Sequence, residues 1–518
     1  MTASVVMVQG TASHVGKSVV TAGLCRLLQR RGVRVAPFKA LNLSLNAAVT
    51  SGGEIARSTA VQAAAARIEP TVDMNPILLK PEAGNRSQVI LRGKVHGTLQ
   101  FGGRESVLDY WPVVTASLDR LRARYDIVVA EGAGSPAEMN LRDHDVANMR
   151  VALHASAAVI LVGDIERGGV FAQLIGTLEL LPPEERALVR GLIVNRFHGD
   201  PGLFTAGVSY LEQRTQLPVF GVVPFVRDID LPEEDAANLD RPGLRVDGDE
   251  PAIRIAVIRL PHLANFDDFG PLERLPGVGV SYVDRPGDLA GAAMVVLPGS
   301  KSTIADLQFV RDRGLADAIL ALRANGTPIV GICGGFQMLG RWIDDPDHVE
   351  SAVGGVAGLG LLPHSTVFER EKVTKRVRAR FLLDLGPFGG LQDDEIEGYE
   401  IHHGRIDVGS RARINAPLRI VERSGARADD LDGAISDDGL VFGTYLHGFF
   451  DNDRVSRSLQ SWLASRQPHA AMGPLRPISA ATHFIDPYDR WADVIEEALN
   501  LELLFERCGL SLPKRGAP

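Results

Sequence analysis

The sequence has few cysteines and no long apolar run. Its three cysteines, Cys25, Cys333 and Cys508, are far apart in a chain of 518 residues, which excludes a disulfide framework and a closely spaced metal cluster. Such usage is typical of a reducing compartment, so we expect a cytoplasmic protein. The N-terminus lacks a basic segment with a cleavage signal, and no run of about 18 to 20 apolar residues occurs. We therefore expect neither a secretory leader nor a membrane span.

The chain also lacks an excess of positive charge. Lysine and arginine total 55 against 64 aspartates and glutamates, for a net charge of −9. Because a nucleic-acid partner requires a broad basic surface, the composition argues against one, and only a local basic patch remains open. Domains usually hold about 100 to 200 residues, so the length predicts two large domains or three smaller ones.

Short apolar segments alternate with helical patterns along the first half of the chain. The segments predicted to be buried strands are SVVMVQ, VRVAPFK, YDIVVAEG, AAVILVGD, GLIVNR and LPVFGVVP. Between the first two, KSVVTAGLCRLLQRRG has the pattern of a helix with Gly32 as its C-terminal cap. This alternation predicts an α/β fold with a doubly wound parallel sheet.

A segment rich in proline, glycine and aspartate, LDRPGLRVDGDEPAIR, interrupts the alternation. A second α/β pattern follows, with IRIAVIRL, AAMVVLPGS, TPIVGICGG and GLVFGTYLHG as its clearest strands. We predict two doubly wound domains, over residues 1–240 and 253–466, joined by a linker over 241–252. Residues 467–518 are predicted to form a C-terminal extension that ends in one helix, WADVIEEALNLELLFERC.

MVQGTASHVGKS has the features of a phosphate-binding loop that is one residue too long. The usual pattern places four residues between its glycines, whereas five separate Gly10 from Gly16. A strand precedes the loop and a helix follows it, so backbone N–H groups can hold phosphate, and we include Thr11 in the nucleotide site. Lys17 is expected to contact the outer phosphates and Ser18 to bind Mg²⁺. The alternative is a glycine-rich turn with an exposed lysine.

Three other strand ends supply polar residues to the same edge of the predicted sheet. Glu131 follows the apolar residues 127–130, and we expect it to be a ligand of Mg²⁺ rather than a solvated strand cap. Asp164 ends another strand and is expected near the same crevice. Asn195 ends a later strand, where its amide would contact the adenine edge, although a turn-forming asparagine is a nearly equal interpretation.

The phosphate loop carries a resemblance to a known family. GTASHVGKS is similar to the GT-x-x-x-VGKT loop of dethiobiotin synthetases. Those enzymes use ATP to activate a carboxyl-type acceptor. The resemblance implies that the first domain phosphorylates a carboxylate or a carbamate, and that it is neither a motor nor a signalling switch.

PIVGICGGFQMLG places Cys333 at a tight turn between an apolar strand and a helix. The pattern G-x-C-x-G is that of a nucleophile elbow, and a helix N-terminus favours the thiolate form. We predict that Cys333 is a nucleophile, that His447 in GTYLHGFF is its base, and that Cys25 and Cys508 are structural. Gly299 and Ser300 end another strand and offer backbone N–H groups for an oxyanion hole. Glutamine-site or interface packing is expected for the GYEIHHGR residues Tyr399, Glu400, His402 and His403.

Together, LPGSKST, GICGGFQMLG and GTYLHG resemble the class I glutamine amidotransferases. The resemblance implies glutamine hydrolysis through a thioester, with Gly334 and Gln337 beside the oxyanion or the bound glutamine. Many members have an H-P-E motif in which the glutamate orients the histidine, whereas Gly448 and Phe449 follow His447 here. Asp451 is nearby, but no pattern indicates that it substitutes. This departure implies a weaker dyad whose activity depends on a loaded synthetase site.

The order of the two domains resembles that of the cobyric acid synthases and the cobyrinic acid a,c-diamide synthases. APFKALNLSLNA is similar to the PFK-x-x-N-x-S-x-N stretch of the cobyric acid synthases, and MNPILLKP, AEGAGSPAEMNL, DIERGGVFA and GYEIHHG also look like that family. The similarity covers nearly the whole chain. Leu41 and Leu45 depart from it, because more polar residues are expected there.

This resemblance implies a substrate and a reaction. The substrate would be adenosylcobyrinic acid a,c-diamide, whose b, d, e and g carboxylates would be amidated with ATP, Mg²⁺ and glutamine to give adenosylcobyric acid. Lys39, Asn42 and Ser44 would lie near the transferred phosphate or the acceptor, with Asp164 close by. Ammonia would cross between the domains, because both it and an acyl phosphate react with water.

Two other functions remain open from the sequence. An a,c-diamide synthase or a cell-wall amidotransferase would share every catalytic feature and differ only in its acceptor. A regulatory P-loop ATPase with an inactive cysteine domain is the alternative of another class. Such switches commonly have a second lysine early in the loop, where Gly10, Thr11 and Ala12 stand here. The sequence leaves open whether copies of the chain form a homo-oligomer.

Overall fold

The computed structural model describes residues 2–83, 86–100, 106–226, 252–407, 414–466 and 486–511. The predicted linker, apart from its last residue, and the first part of the C-terminal extension lie outside these ranges. The predicted domain boundaries near residues 240 and 467 therefore stay predictions. No helix in the described ranges combines the length and apolar character that a membrane crossing requires.

The first half of the chain is built on a parallel sheet. Its described strands are β1 (Ser4–Gly10), β2 (Val35–Phe38), β3 (Leu41–Leu43), β4 (Ala47–Thr50), β5 (Gly53–Ala56), β6 (Ile77–Glu82), β7 (Arg86–Leu91), β8 (Lys94–Gln100), β9 (Ile127–Glu131), β10 (Ala158–Asp164), β11 (Val189–Phe197) and β12 (Val219–Pro224). The parallel sheet has the order β12–β11–β10–β1–β9–β2. The apolar segments predicted as strands form this sheet, and the predicted α/β class is confirmed.

Helices cover both faces of this sheet, which explains why its central strands are apolar along their whole length. The described helices are α1 (Lys17–Arg30), α2 (Arg57–Ala65), α3 (Trp111–Arg124), α4 (Met149–Ala155), α5 (Val170–Leu180), α6 (Pro183–Arg186) and α7 (Thr205–Thr215). The predicted first helix is confirmed as α1. Gly32, two residues after its end, has a φ of 77°, the left-handed conformation that favours glycine.

An excursion between β2 and β9 was not predicted from the sequence. It contains a small sheet of order β3–β6–β7–β8 and the antiparallel hairpin β4–β5. The strands are short, and several residues of β8 are exposed, so their apolar pattern is weak. This excursion contains the predicted acceptor residues Asn42 and Ser44, and it contacts the second half through Asn46 and Ala47.

The second half contains another, largely parallel sheet and a mixed sheet beside it. Its described strands are β13 (Ile253–Ile258), β14 (Val278–Val283), β15 (Met294–Leu297), β16 (Ile329–Ile332), β17 (Trp342–Asp344), β18 (Gly355–Ala357), β19 (Ser365–Phe381), β20 (Glu395–Asp407), β21 (Leu418–Arg423), β22 (Ala426–Asp432), β23 (Ala434–Ile435) and β24 (Val441–Thr444). The order β14–β13–β15–β16–β24–β23 contains the strands that we predicted, with β23 antiparallel at one edge.

The mixed sheet, of order β18–β17–β19–β21–β22, was not predicted, and β20 pairs with β19 beside it. The described helices of this half are α8 (Gly270–Glu273), α9 (Thr303–Asp312), α10 (Leu315–Ala324), α11 (Gly334–Leu339) and α12 (Asp453–Ser465). The carboxyl ends of β15, β16 and β24 are adjacent, which brings Gly299, Cys333 and His447 to one edge.

The C-terminal extension ends in two helices, α13 (Pro487–Ala498) and α14 (Leu501–Arg507), so the prediction of one continuous helix is wrong. Leu499 is extended and pairs with Gly221 of β12, and the Asn500 N–H donates to the carbonyl of Phe220 at 2.7 Å. The Asn500 side chain then caps α14 by accepting from Leu503. These helices pack against α1, so the end of the chain returns to the first half.

Candidate active site

The phosphate loop connects β1 to α1 in a conformation that only glycine can complete. Gly16 has a φ of 94° and is the N-cap of α1. A Cβ at this position would overlap the side-chain amide of Asn195, whose Nδ2 donates to the Val15 carbonyl at 2.8 Å. The structure thus places Asn195 against the loop backbone. The N–H of Thr11 donates to Val162 at 3.0 Å and fixes the other end of the loop.

Lys17 lies under the loop instead of extending into solvent. Its Nζ donates to the carbonyls of Ala12 and Gly134, at 2.9 and 3.0 Å, and the residue is buried. This contradicts the alternative of a turn with an exposed lysine. The extra residue of the loop is accommodated because the Gly16-Lys17-Ser18 junction still opens the helix.

Glu131 is the centre of the first site. Its Oε1 accepts from Ser18 Oγ at 2.8 Å and from Lys39 Nζ at 2.9 Å, and its Oε2 accepts from Gln62. Glu131 is 1% exposed, which means that these partners replace water around the carboxylate. Sequence reasoning missed Gln62, which α2 brings in from the unpredicted excursion. Among the described residues, no group of three or more histidine, cysteine or acidic side chains forms a metal cage.

The other predicted residues of this half differ in their surroundings. Asp164 lies at the same sheet edge, where its Oδ2 pairs with Arg196 Nη1 at 3.0 Å. Ser44 Oγ accepts from the N–H of Asn46 at 3.0 Å. Asn42 is buried, and its Nδ2 has no hydrogen-bond partner among the described residues.

Cys333 has the backbone geometry of a nucleophile elbow. It follows β16 directly, precedes α11 and has φ 51° and ψ −106°, an unusual conformation for a residue with a side chain. The neighbouring Gly335 is required, because a Cβ there would overlap the Leu297 carbonyl. Cys25, in contrast, is buried within α1, and burial raises the pKa of its thiol far above the usual value.

His447 is held by an acid that the sequence analysis did not identify. Its Nδ1 is 2.7 Å from Oδ2 of Asp268, and the other carboxylate oxygen accepts from the Gly448 N–H at 2.8 Å. Burial alone would lower the pKa of His447, but the charges of Asp268 and Cys333 outweigh it and raise the pKa to about 10. Cys333, His447 and Asp268 therefore have the arrangement of a triad, in place of the dyad that the sequence indicated.

Asp451 does not take this role. His447 Nδ1 contacts Asp268 rather than Asp451, and the His447 ring stacks on that of Tyr399 with centroids 5.3 Å apart. Asp268 is 179 residues from His447 in the chain, so local spacing could not identify it. The available signal was the acidic pair in NFDDFG, shortly after the first strand of the second half.

A cavity joins this triad to the first half of the molecule. Residues of the second half that line it include Cys333, His447, Gly299, Ser300, Gln337, Glu350, His402 and His403. Leu45 and Lys80 of the first half line the same cavity. Leu45, which departs from the polar pattern expected from the sequence, thus lines the same cavity as Cys333. Gly334 lies next to Ser300 at the edge of this cavity, since a Cβ on Gly334 would lie 2.8 Å from the backbone nitrogen of Ser300.

Polar groups in the cavity are arranged by hydrogen bonds. Gln337 Oε1 accepts from Thr303 Oγ1 at 3.1 Å, and the Thr303 N–H donates to Glu350 at 2.8 Å. Burial raises the pKa of Glu350 to about 7. His403 is also buried, which lowers its pKa to about 3, so it stays neutral at physiological pH.

The two halves also meet through a buried cluster of charges. Glu54 of the first half pairs with Lys80 and with Lys372 of the second half, each at 2.5 Å. Burial opposes ionisation of Glu54, but the two lysines lower its pKa to about 2. Lys301 pairs with Glu82 across the same boundary at 2.7 Å.

Comparisons with known proteins agree with this arrangement. A family described as the CobQ/CobB/MinD/ParA nucleotide binding domain matches residues 6–239, and a CobB/CobQ-like glutamine amidotransferase domain matches residues 254–455. Proteins named cobyric acid synthase from Chloroflexus aggregans and Chloroflexus aurantiacus are each 52% identical over 97% of this chain, and cover 98% and 99% of their own lengths. One from Sorangium cellulosum is 49% identical, over 98% of this chain and 99% of its own.

These matches extend over both sites. The nucleotide-binding match contains the phosphate loop and Glu131, and the amidotransferase match contains Cys333, His447 and Asp268. Because relatives about half identical to this chain align with nearly all of it, the chain belongs to the cobyric acid synthase family of glutamine-hydrolysing, amide-forming enzymes.

Proposed function

We propose that this chain amidates the b, d, e and g carboxylates of adenosylcobyrinic acid a,c-diamide and yields adenosylcobyric acid. The observation that carries the proposal is the cavity shared by the two halves, which Cys333 lines together with Leu45 and Lys80. An amide synthase needs such a cavity so that ammonia made at one site can reach an activated carboxylate at the other. Full-length similarity to cobyric acid synthases supports the corrinoid acceptor.

The first half would bind ATP and transfer its terminal phosphoryl group to a substrate carboxylate, giving an acyl phosphate and ADP. The N–H groups of the Gly10–Gly16 loop would hold the phosphates, with Lys17 beside the outer ones. Lys39 would neutralise charge on the transferred group, and the free Asn42 amide would donate to the acceptor. Asp164 would lie near the phosphate or the acceptor, at the same edge of the sheet, where it forms an ion pair with Arg196. We retain the proposal that Asn195 borders the nucleotide.

Ser18 and Glu131 are the residues that would hold Mg²⁺. Their oxygens are 2.8 Å apart, and oxygen donors of this kind suit a hard cation that takes its remaining ligands from phosphate and water. When bound, Mg²⁺ supplies positive charge to the phosphate oxygens. The Lys39 ammonium lies 2.9 Å from the Glu131 carboxylate and would orient that carboxylate toward the Mg²⁺ position.

In the second half, the Cys333 thiolate would attack the side-chain amide carbon of glutamine. His447 would hold the thiol proton and deliver it to the departing nitrogen, which leaves as ammonia, while Asp268 keeps Nδ1 protonated and the ring oriented. Backbone N–H groups near Gly299, Ser300 and Gly334 would stabilise the oxyanion, with Gln337 beside the glutamine. Water would then hydrolyse the thioester to glutamate.

Ammonia would pass through the cavity to the acyl phosphate, where the new C–N bond forms as phosphate leaves. For each amide, one ATP, one glutamine and one water are consumed, and ADP, phosphate and glutamate are released. A cytoplasmic location is part of the proposal, because the nucleophile and the other two cysteines are free thiols.

Product masses test the proposal. The chain is incubated with Mg-ATP, glutamine and adenosylcobyrinic acid a,c-diamide, with Cys333→Ala alongside, supplied with glutamine or with ammonium. We expect stepwise amidation that the variant loses with glutamine and retains with ammonium. Glutamine hydrolysis and ATP turnover without any change in corrinoid mass would reject the corrinoid acceptor, and other carboxylates, including the cobyrinic acid substrate of the a,c-diamide synthases, would then be tried.

A further inference from the structure

The segment that carries the triad acid lies between the two halves of the molecule. On one side, Asp268 contacts His447 and Gly448. On the other side, three contacts from the first half hold the residues just before it. Asn265 Oδ1 accepts from the Ala47 N–H at 3.0 Å, and the Phe266 N–H donates to Asn46 Oδ1 at 3.3 Å. Arg57 Nε lies 2.8 Å from Asp267 Oδ2.

Arg57 is a cation close to several buried acids. Its partner Asp267 is adjacent to Asp268 in the chain, and Asp451 is near both. The Arg57 side chain is 23% exposed and that of Asp267 is 8% exposed, so water screens their interaction weakly. Without this cation, the neighbouring carboxylates would repel each other, and Asp267 and Asp268 would lose the alignment that directs Asp268 toward His447.

The helix that begins with Arg57 also contacts the nucleotide site. Arg57 is the first residue of α2, and Gln62, five residues later, donates to Glu131. Five residues of helix span about 7.5 Å, so one short rigid element contacts both sites. The Arg57 N–H donates to the carbonyl of Asn46, which ties the start of α2 to the loop that follows Ser44.

We propose that Arg57 is a positioning residue for glutamine hydrolysis: by holding Asp267, it aligns the triad acid Asp268, so that α2 of the synthetase half completes the amidotransferase site. The proposal rests on the proposed glutaminase chemistry of Cys333 and His447. It makes glutamine hydrolysis dependent on contact between the halves, which limits the release of ammonia when they are apart.

The test separates glutamine hydrolysis from amidation. In Arg57→Gln, we expect kcat for glutamine hydrolysis to fall about 10- to 100-fold with little change in KM, because misplacement of a catalytic group affects the chemical step. Amidation supported by ammonium should stay near the wild-type rate. Arg57→Lys should recover much of the lost kcat, and Arg57→Gln combined with Asp267→Asn should be little worse than either single change.

Arg376→Gln is the matched control, because Arg376 also pairs across the boundary, with Glu69 at 2.9 Å, in a contact that involves neither Asp267 nor Asp268. Wild-type glutaminase activity in Arg57→Gln, or an equal loss in the Arg376 control, would overturn the proposal. A parallel loss of ammonium-supported amidation would also overturn it, since it would indicate general damage. If the wild type itself hydrolyses no glutamine, the proposed function fails instead, so the two failures are distinguishable.

Discussion

The nucleotide site and the amidotransferase site are assembled from the chain in different ways. In the nucleotide site, the phosphate loop is one continuous motif, and its partners converge on the single carboxylate of Glu131. In the amidotransferase site, the charged groups form a line from Asp268 to His447 to Cys333, and they come from three separate strand ends and loops. The phosphate loop depends on local sequence, whereas the partners of Glu131 and the whole second site depend on tertiary contacts, which in the second site include contacts with the other half.

This difference predicts that changes at the nucleotide site abolish amidation from any nitrogen source. Lys17→Ala should lower amidation with glutamine and with ammonium about 1000-fold, because it removes the buried cation expected to stabilise charge on the transferred phosphate. Product mass measures the rate, and the exposed Lys94→Ala is the control. Full ammonium-supported amidation by Lys17→Ala would contradict the assignment of the site.

A change in Asp268 should lower amidation that uses glutamine, but not amidation that uses ammonium. Asp268→Asn should lower kcat for glutamine hydrolysis about 100-fold or more, because His447 would lose the partner that fixes its proton and orientation. Ammonium-supported amidation should be nearly unchanged. Asp451→Asn is the control, and glutamate release is the assay. If Asp451→Asn were the more damaging change, the triad described above would be wrong.

The C-terminal helices should contribute to the stability of the nucleotide half. Asp489→Ala removes a carboxylate 2.7 Å from Nε of Arg26, which is 1% exposed, so a nearly buried cation loses a partner. We expect a loss of about 2 to 4 kcal/mol in the free energy of unfolding, less than for a fully buried pair because Asp489 is partly solvated. Urea denaturation followed by tryptophan fluorescence measures it.

The loss of stability in Asp489→Ala is compared with the loss caused by removing one partner of a solvent-exposed ion pair. Arg34 and Asp126 form one at the surface of the same half, with both side chains largely exposed. Asp126→Ala should cost at most about 1 kcal/mol. Equal losses in the two variants would mean that the C-terminal helices do not stabilise this half.

A pH-dependent effect is expected at the charge cluster between the halves. Glu54 has a pKa of about 2 in the folded chain, below its ordinary value of 4.5. The folded state therefore binds fewer protons than the unfolded state, and the contribution to stability is complete above about pH 4.5 and lost as the pH falls toward 2. The free energy of unfolding, measured across this range, should fall more steeply for the wild type than for Glu54→Gln. If the free energy of unfolding fell equally with pH in the two proteins, Glu54 would not be the source of the pH dependence.

Much of the fold could be predicted because buried parallel strands are apolar along their whole length. The strands that end at Glu131, Asp164, Cys333 and His447 were all identified in this way, and so was the helix after the phosphate loop. The excursion between β2 and β9 and the mixed sheet were missed, because several strands of the excursion have only three or four residues and because β8 and the middle of β19 are exposed. The break at Leu499 was missed because it depends on pairing with β12.

The candidate sites could be predicted to the extent that their residues lie in continuous motifs. The phosphate loop and the cysteine turn each have glycines at positions where a Cβ would overlap neighbouring atoms, as at Gly16 and Gly335. Asp268 and Gln62 could not be assigned in the same way, because nothing near them in the sequence indicates which residue they contact. Their roles follow from packing between distant segments.

The central claim is that ammonia made at Cys333 reaches the acceptor inside the protein. The most direct measurement supplies glutamine labelled with heavy nitrogen in its side-chain amide, together with excess unlabelled ammonium, Mg-ATP and adenosylcobyrinic acid a,c-diamide. Internal transfer predicts that the amides of the product carry mainly the heavy nitrogen, because ammonia that passes through the protein would not exchange with ammonium in solvent. Product amides that carry mainly unlabelled nitrogen would contradict internal transfer.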